Sequence, residues 1–223
     1  MFKFAEWIIS GALMAFPAAT DTAQQVTAVE PVTTAEQPAP AAFDATTALA
    51  RANQALNDIT TATGRFSQID PSGHFSQGTF YISRPGRMRF EYDDPVPQTL
   101  VADGTTLAIE DRDLETIDRV PLSATPLNLI LRESADLAAD ANILNIRKIG
   151  GLVAILISDK SGEAEGQLEL FFDADNYDLR KWESVDVSGQ RTTVDLMQVE
   201  KDVSLSARLF RLEDPEDEDE RRR

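Results

Sequence analysis

The stretch GTFYISRPGRMRFEYDDPVPQTLVADGTTL, residues 78–107, decides the reading of the whole chain. Its apolar and polar side chains alternate with a period of two, the repeat of a half-buried strand. Phe80, Ile82 and Arg84 share one face, with Thr79, Tyr81 and Ser83 on the other. Arg84-Pro85-Gly86 then stops the strand, because proline has no N–H for a ladder and glycine tolerates the positive φ of a tight turn. Met88, Phe90 and Tyr92 follow on one face, with Arg87, Arg89 and Glu91 opposite and expected to stay in water. Two such runs about a Pro-Gly break predict a β-hairpin. Leu100 to Asp103 runs into Asp103-Gly104, a tight-turn signal, and Leu107 and Ile109 begin the return strand.

Outward from this block the same period recurs. Upstream, Phe66, Gln68 and Asp70 lead into a Pro71-Ser72-Gly73 turn. Before them, Leu49, Ala52, Leu56 and Ile59 fall at helical spacing and predict an amphipathic helix over 46–62, ending near Gly64. Downstream, Leu114 to Val120 continues the meander. Thr125-Pro126 predicts a helix start with Leu127, Ile130 and Leu131 as its apolar stripe, and Ser134 predicts the cap of a second short helix over 135–141. Strands resume at Ile143–Ile149, Leu152–Ser158, 166–173, Asp178–Val187 and Gln190–Glu200, and a last one is predicted over 207–212. About eleven short strands with one helix before and one or two in the middle define the class as mainly β with α: an unclosed, strongly curved antiparallel β-barrel with a helical lid. Periodicity alone does not separate a hollow barrel from one filled with its own side chains.

The two ends have a different character. Lys3 precedes Trp7–Phe16, an apolar run of ten residues with one serine, too short for a bilayer that takes about 20. Residues 1–28 therefore read as a secretory signal, despite Glu6, with Val26-Thr27-Ala28 or the poorer Pro17-Ala18-Ala19 as the cleavage site. Residues 29–45, rich in Pro, Ala and Thr, read as a disordered linker, 46–212 as one domain, and 213–223, with seven acids and three arginines, as a solvated disordered tail.

Composition excludes several kinds of chemistry. The net charge of −17 opposes binding to nucleic acid or docking on anionic lipid, both of which need clustered Lys and Arg. There is no cysteine, hence no disulfide, no thiolate nucleophile and no residue to which a lipid anchor could be attached. His74 is the one histidine, and one imidazole without thiolates does not make a zinc site. The acidic run 173–178 lacks the Gly and Glu that a calcium loop needs at its sixth and twelfth positions, which here are Asp178 and Ser184; it reads as a hairpin turn. No catalytic residues, cofactor or metal are predicted.

The chain resembles the outer-membrane lipoprotein carrier family, LolA. The resemblance is carried by Phe66-Ser67-Gln68 as an opening F-x-Q strand, by the run Gly78 to Tyr92 centred on Arg84-Pro85-Gly86, by Pro95, and by Val101 to Leu107 with its Asp-Gly turn. Thr125-Pro126-Leu127 resembles the start of the mid-chain lid. The match extends over about residues 46–212. Ala108-Ile109 stands where the family often has an aromatic pair, and the long linker and acidic tail are unusual.

The resemblance implies a passive periplasmic chaperone. It would bind the acyl chains of lipoproteins in a hydrophobic cavity and shuttle them from the inner to the outer membrane, as a monomer without enzymatic activity. Phe66, Phe80, Ile82, Met88, Phe90, Leu107 and Ile109 would line that cavity, Leu127, Ile130 and Leu131 would belong to the lid, and Arg84 would latch it. The implied partners are acylated lipoproteins, an ATP-driven inner-membrane release complex and an outer-membrane lipoprotein receptor. A periplasmic lipid-binding or envelope-stress sensing module on the same scaffold is the alternative, since one fold serves several functions.

Overall fold

A computed structural model describes residues 43–212. The signal at 1–28, the linker up to residue 42 and the tail at 213–223 lie outside the described residues. The chain order is α1 (Ala45–Asn57), β1 (Thr61–Ile69), β2 (Phe75–Ser83), β3 (Arg87–Tyr92), β4 (Gln98–Asp103), β5 (Thr106–Asp111) and β6 (Thr116–Pro121). A 3-10 turn, Leu122–Ala124, and two short helices, α2 (Asn128–Leu131) and α3 (Leu137–Asp140), lead to β7 (Ala141–Ile149), β8 (Leu152–Asp159), β9 (Gln167–Asp173), β10 (Leu179–Val185) and β11 (Arg191–Lys201). A second 3-10 turn, Ala207–Phe210, follows.

All eleven strands belong to one antiparallel sheet in the order β6-β5-β4-β3-β2-β1-β11-β10-β9-β8-β7. The first and last strands thus meet in the middle of the sheet, where β1 pairs with β11, and β6 and β7 are its two unpaired edges. The hairpin read from the sequence is present in register: Phe80 opposes Phe90 and Ile82 opposes Met88 across β2 and β3. Its turn is tight. Gly86 has φ +71°, and a Cβ there would stand 2.7 Å from the Cα of Gly104 in the β4–β5 turn, so two turns pack at glycine-only distance.

One face of the sheet holds the core. Ala62, Phe66, Phe80, Met88, Phe90, Ala102, Leu107, Val153, Ile155, Leu168, Leu170, Trp182 and Val194 form a single buried cluster with α1 and the segment 122–137. Helix α1 enters it with Ala48, Ala52 and Leu56, spaced by four, and is capped by Asp44, whose carboxylate accepts the Thr46 N–H at 3.0 Å. Asp44 and Ala45 are therefore cap and first turn, not the end of a linker.

The structure corrects four local readings. Helix α1 ends at Asn57 and not near Ala62, because Thr61, Ala62 and Thr63 pair with Ser83, Ile82 and Tyr81 of β2; sheet pairing overrides the helical propensity of an alanine-rich run. The second mid-chain helix is capped by Asp136, which accepts the N–H groups of Ala138 and Ala139, and spans four residues only. The first is equally short, and Leu129 is as deeply buried as Ile130 and Leu131, so the segment is inserted bodily and carries no amphipathic stripe. Residues 207–212 form a turn and not a strand. Phe210 packs at 2% exposure on the outer face of β3 to β5, beneath the Arg87 guanidinium 5.7 Å from its ring, while Arg89 donates to the Leu209 carbonyl at 3.2 Å. Arg87 and Arg89 are thus covered by the chain, and the alternation of 207–212 is satisfied by packing on that face.

Candidate functional site: an apolar interior beneath a fastened lid

The interior is dense at its centre. Phe90 touches Phe66 (4.7 Å between centroids), Phe80 (5.8 Å) and Trp182 (5.8 Å), and Tyr92 meets Phe66 edge-on at 5.0 Å. The Tyr92 hydroxyl donates to Gln68 Oε1 at 2.8 Å, and burial pushes the phenol up to about 12. Free volume remains near this cluster in two places. A cavity of about 200 Å³ is lined by Met88, Phe90, Leu100, Leu127, Leu168 and Trp182 among others, with Gln68, Ser184 and Thr192 also on its wall. One of about 310 Å³ is bounded by Ile59, Phe80, Ile82, Leu196 and Val199, with Asp178, Arg180, Gln198 and Lys201 also on its wall.

The residues singled out by sequence are distributed unevenly around this space. Met88, Phe90 and Leu127 line the first cavity and Phe80 and Ile82 the second. Phe66 is buried in the ring cluster that both cavities adjoin, and Ile130 and Leu131 in the lid side of the core. Leu107 is in the core without lining either space, and Ile109, opposite Leu100, is half-buried outside that cluster and lines neither space.

Segment 122–140 closes over this interior, and its fastening is polar. Arg84, at the end of β2, is half-buried and extends a planar fork of five N–H donors. Its Nε donates to the Arg132 carbonyl at 2.8 Å, and Nη2 donates to the same oxygen. Nη1 donates to the carbonyl of Leu56, at the C-terminal end of α1, and reaches the Ile59 carbonyl at 3.4 Å. The Leu56 carbonyl lies in the last turn of α1, where i+4 partners run out; it also accepts the Ile59 N–H at 3.3 Å. Two residues on, the Gly86 N–H donates to the Leu131 carbonyl at 2.7 Å. Burial lowers the guanidinium pKa, but arginine stays charged at any physiological pH.

Sequence reading missed a second fastening. Asn57 pairs with the backbone of Ala135 on both sides: its Nδ2 donates to the carbonyl at 3.0 Å and its Oδ1 accepts the N–H at 2.7 Å. One helical turn earlier, Asn53 Oδ1 accepts the Leu137 N–H at 3.1 Å. The i, i+4 spacing of two asparagines on the polar side of an amphipathic helix was the available signal, but it is also what a solvated face looks like. Helix α1 is itself pinned from the far side, where Arg51 donates to the Asp175 carbonyl at 2.8 Å and lies 4.1 Å over the Tyr177 ring.

Among the described residues, no three His, Cys, Asp or Glu side chains are grouped to hold a metal ion, and no helix is long and apolar enough to cross a membrane. Asp173 of the acidic run accepts the N–H groups of Asp175 and Asn176 and so builds the β9–β10 turn. His74 lies in the β1–β2 turn with its ring 3.3 Å from Asp70.

The fold and this interior define a class: proteins with an unclosed antiparallel half-barrel whose apolar concave face is covered by a mid-chain lid. Residues 57–213 match the family described as outer membrane lipoprotein carrier protein LolA, and the chain belongs to that family. An outer-membrane lipoprotein carrier protein of Legionella pneumophila is 32% identical over 169 residues, covering 72% of this chain and 82% of its own. One of Alkalilimnicola ehrlichii is 30% identical over 190 residues, covering 73% and 78%. The crystal structure of a LolA superfamily protein from Nitrosomonas europaea aligns at 13% identity with a TM-score of 0.44, covering 77% of this chain and 99% of that one.

Proposed function

We propose that this protein is a periplasmic carrier that takes up the acyl chains of lipoproteins and moves them through water to the outer membrane. One observation carries the reading beyond family membership: an interior built around a cluster of aromatic and aliphatic side chains is covered by a lid whose ties to the body at Arg84, Gly86 and Asn57 are hydrogen bonds to lid backbone. Such ties can break and re-form without disturbing the sheet.

Energetics support a reversible opening. An acyl chain is held in a membrane by roughly 0.8 kcal/mol per buried CH₂, so three long chains need a replacement apolar environment worth tens of kcal/mol. The cavities, about 200 and 310 Å³, lie at or below the low end of the roughly 300–1,000 Å³ that drug-sized ligands require. Cargo with several chains enters only after the lid lifts and the core residues beneath it part. Charge-assisted hydrogen bonds contribute about 1.5–3 kcal/mol each, which sets the scale of the barrier that Arg84 adds. The cargo's apolar surface offsets it, and closure on handover returns it. In this scheme Arg84 is the latch, and Phe80, Ile82, Met88 and Phe90 the cavity wall.

Residues 1–28 are the export signal in this reading. Cargo arrives from an ATP-driven inner-membrane complex and leaves to an outer-membrane receptor, and the carrier itself is a monomer that catalyses no reaction. The test is reconstituted transfer. Mass spectrometry of the native periplasmic protein should find intact triacylated lipoprotein, and Arg84→Leu should accept cargo yet hand it on more slowly. Free phospholipid alone as the bound species, or normal handover by the variant, would overturn the carrier reading and the latch respectively.

A further inference from the structure

The two spaces beside the ring cluster differ in what covers them. They share no lining residue: Phe80 faces the larger and Phe90 the smaller, and these two rings stack with centroids 5.8 Å apart. Thr125, Pro126 and Leu127 of the lid segment wall the smaller space, whereas no residue of 122–140 lines the larger. The larger one is therefore not under the lid. Its rim holds Gln198, Arg180 and Lys201, all exposed.

A distortion of the sheet builds this pocket. Thr63 opposes Glu200 and Arg65 opposes Met197, so Gln198 and Val199 share the single partner Gly64, a β-bulge in β11. Gln198 has φ +52°, in the left-handed region that residues other than glycine seldom adopt. Bulges re-aim side chains, and this one sets Gln198 and Val199 on the pocket wall. Gly64 is required beside it, since a Cβ there would stand 2.7 Å from the Met197 carbonyl oxygen and 2.8 Å from the Phe80 ring. The other walls are apolar, from Ile59, Ala62, Ile82 and Leu196.

The rim is charged. Lys201 pairs with Asp178 Oδ1, and Arg180 Nη2 lies 3.9 Å from Asp178 Oδ2 and 3.3 Å from Asp173. Asp178 Oδ2 also accepts from the Asn176 amide at 2.9 Å, so this carboxylate is fully engaged. The two cations are not: an ammonium has three donors and a guanidinium five, and most remain for another anion. On the pocket wall itself two cations face one acid, in a chain of net charge −17.

We propose that this pocket binds a single-chain anionic amphiphile, a fatty acid or a lysophospholipid, while the lid stays shut. The tail lies against Phe80, Leu196 and Val199, and the head meets Arg180 and Lys201. At about 30 Å³ per methylene-sized unit, the share of a liquid water, 310 Å³ holds about ten carbons of one chain. The site needs nothing from the lid-covered space, so its ligand and lipoprotein transfer succeed or fail separately.

Laurate, dodecanol and dodecyltrimethylammonium carry tails of equal length on negative, neutral and positive heads. Each is titrated, below its micelle-forming concentration, into the isotope-labelled protein. Laurate should shift the amides of Ala62, Ile82, Leu196 and Val199 and leave those of Leu100, Leu127 and Ser184 in place, with hydrogen exchange at Ala135 in the lid unchanged. Dodecanol should bind at least about tenfold more weakly, the worth of one charge-assisted hydrogen bond, and the cation more weakly still. Gln198→Glu, at an exposed position, should weaken laurate at least about tenfold and favour the cation. Lys201→Gln should weaken laurate and leave dodecanol as it was. Lauroyl-lysophosphatidylglycerol in place of laurate should bind at the same residues, and the tighter of the two names the source of the head. No shifts, shifts centred on Leu100 and Leu127, equal affinity for all three heads, or laurate binding indifferent to Gln198→Glu would overturn the proposal.

Discussion

Arg84 and Asn57 are hydrogen-bonded to each other, Nη2 to Oδ1 at 3.3 Å. Through that contact the end of β2, the last turn of α1 and two points of the lid, at Arg132 and Ala135, form one connected polar cluster. Neither side chain holds the lid alone, and removing either strips a partner from the other.

Asn57→Ala should therefore loosen the lid without unfolding the sheet. The Ala135 N–H loses its acceptor, and a loss of about 1–3 kcal/mol in local opening free energy is expected from an unsatisfied, partly buried donor. Hydrogen exchange at Ala135 and Leu137 should accelerate while β1 and β11 amides keep their protection. A double-mutant cycle with Arg84→Gln should give a coupling of about 0.5–3 kcal/mol; additive effects would show that the two ties act separately.

Phe90→Ala should be among the most damaging core truncations, by about 3–5 kcal/mol in urea unfolding, because the ring contacts three other aromatic residues and borders the 200 Å³ cavity. The vacated space would join that cavity. Apolar dye binding should rise even as stability falls, and a variant that is less stable but binds no more dye would mean that the core collapses into the gap.

How much of this was legible follows a physical line. Strands β1 to β11 are readable because a period of two reports which face of a sheet is buried, and that needs no long-range information. Arg84 was found because it sits in Arg-Pro-Gly and by resemblance. Its carbonyl partner at Arg132 lies 48 residues away, and a bond to backbone leaves no trace in side-chain identity. Asn53 and Asn57 also bond to backbone, and their i, i+4 spacing does not distinguish that role from a solvated helix face. Residues 207–212 were misread since alternation states that one face is buried but not against what; here the partner is Arg87 and Arg89 on an outer face taken to be wet. The extent to which rings fill the interior is a property of volumes summed over many strands, which no single segment encodes.

Gly78→Ala tests the closeness of β2 and β3. A Cβ there would fall 2.0 Å from the Glu91 carbonyl oxygen and 2.6 Å from the Phe66 ring, so the strands must part. Destabilisation of at least about 3 kcal/mol is expected, at the upper end of overpacking effects. Gly151→Ala, where nothing stands within 4 Å, should change stability by no more than about 0.5 kcal/mol. Equal thermal shifts for both would contradict the packing described.

Tyr92 predicts an alkaline signature. Its phenol titrates near 10 when unfolded and about 12 when folded, because burial disfavours the phenolate. A raised folded pKa means that its contribution is complete below pH 10 and is lost as pH climbs toward 12. Two pK units correspond to roughly 3 kcal/mol. The difference in stability between the native protein and Tyr92→Phe, followed by denaturant titration from pH 8 to 12, should shrink by about that amount; a flat difference would place the hydroxyl in water.

The strand order has a mechanical consequence. Edges β6 and β7 are consecutive in sequence, and the only covalent link across the gap between them is the segment 122–140. Spreading those edges breaks no ladder, since each keeps its one neighbour, β5 or β8. The shell can thus widen across the seam at no cost in ladder hydrogen bonds. Its elastic element is the same length of chain that plugs the mouth, so the girth of the vessel and the position of its stopper are one degree of freedom.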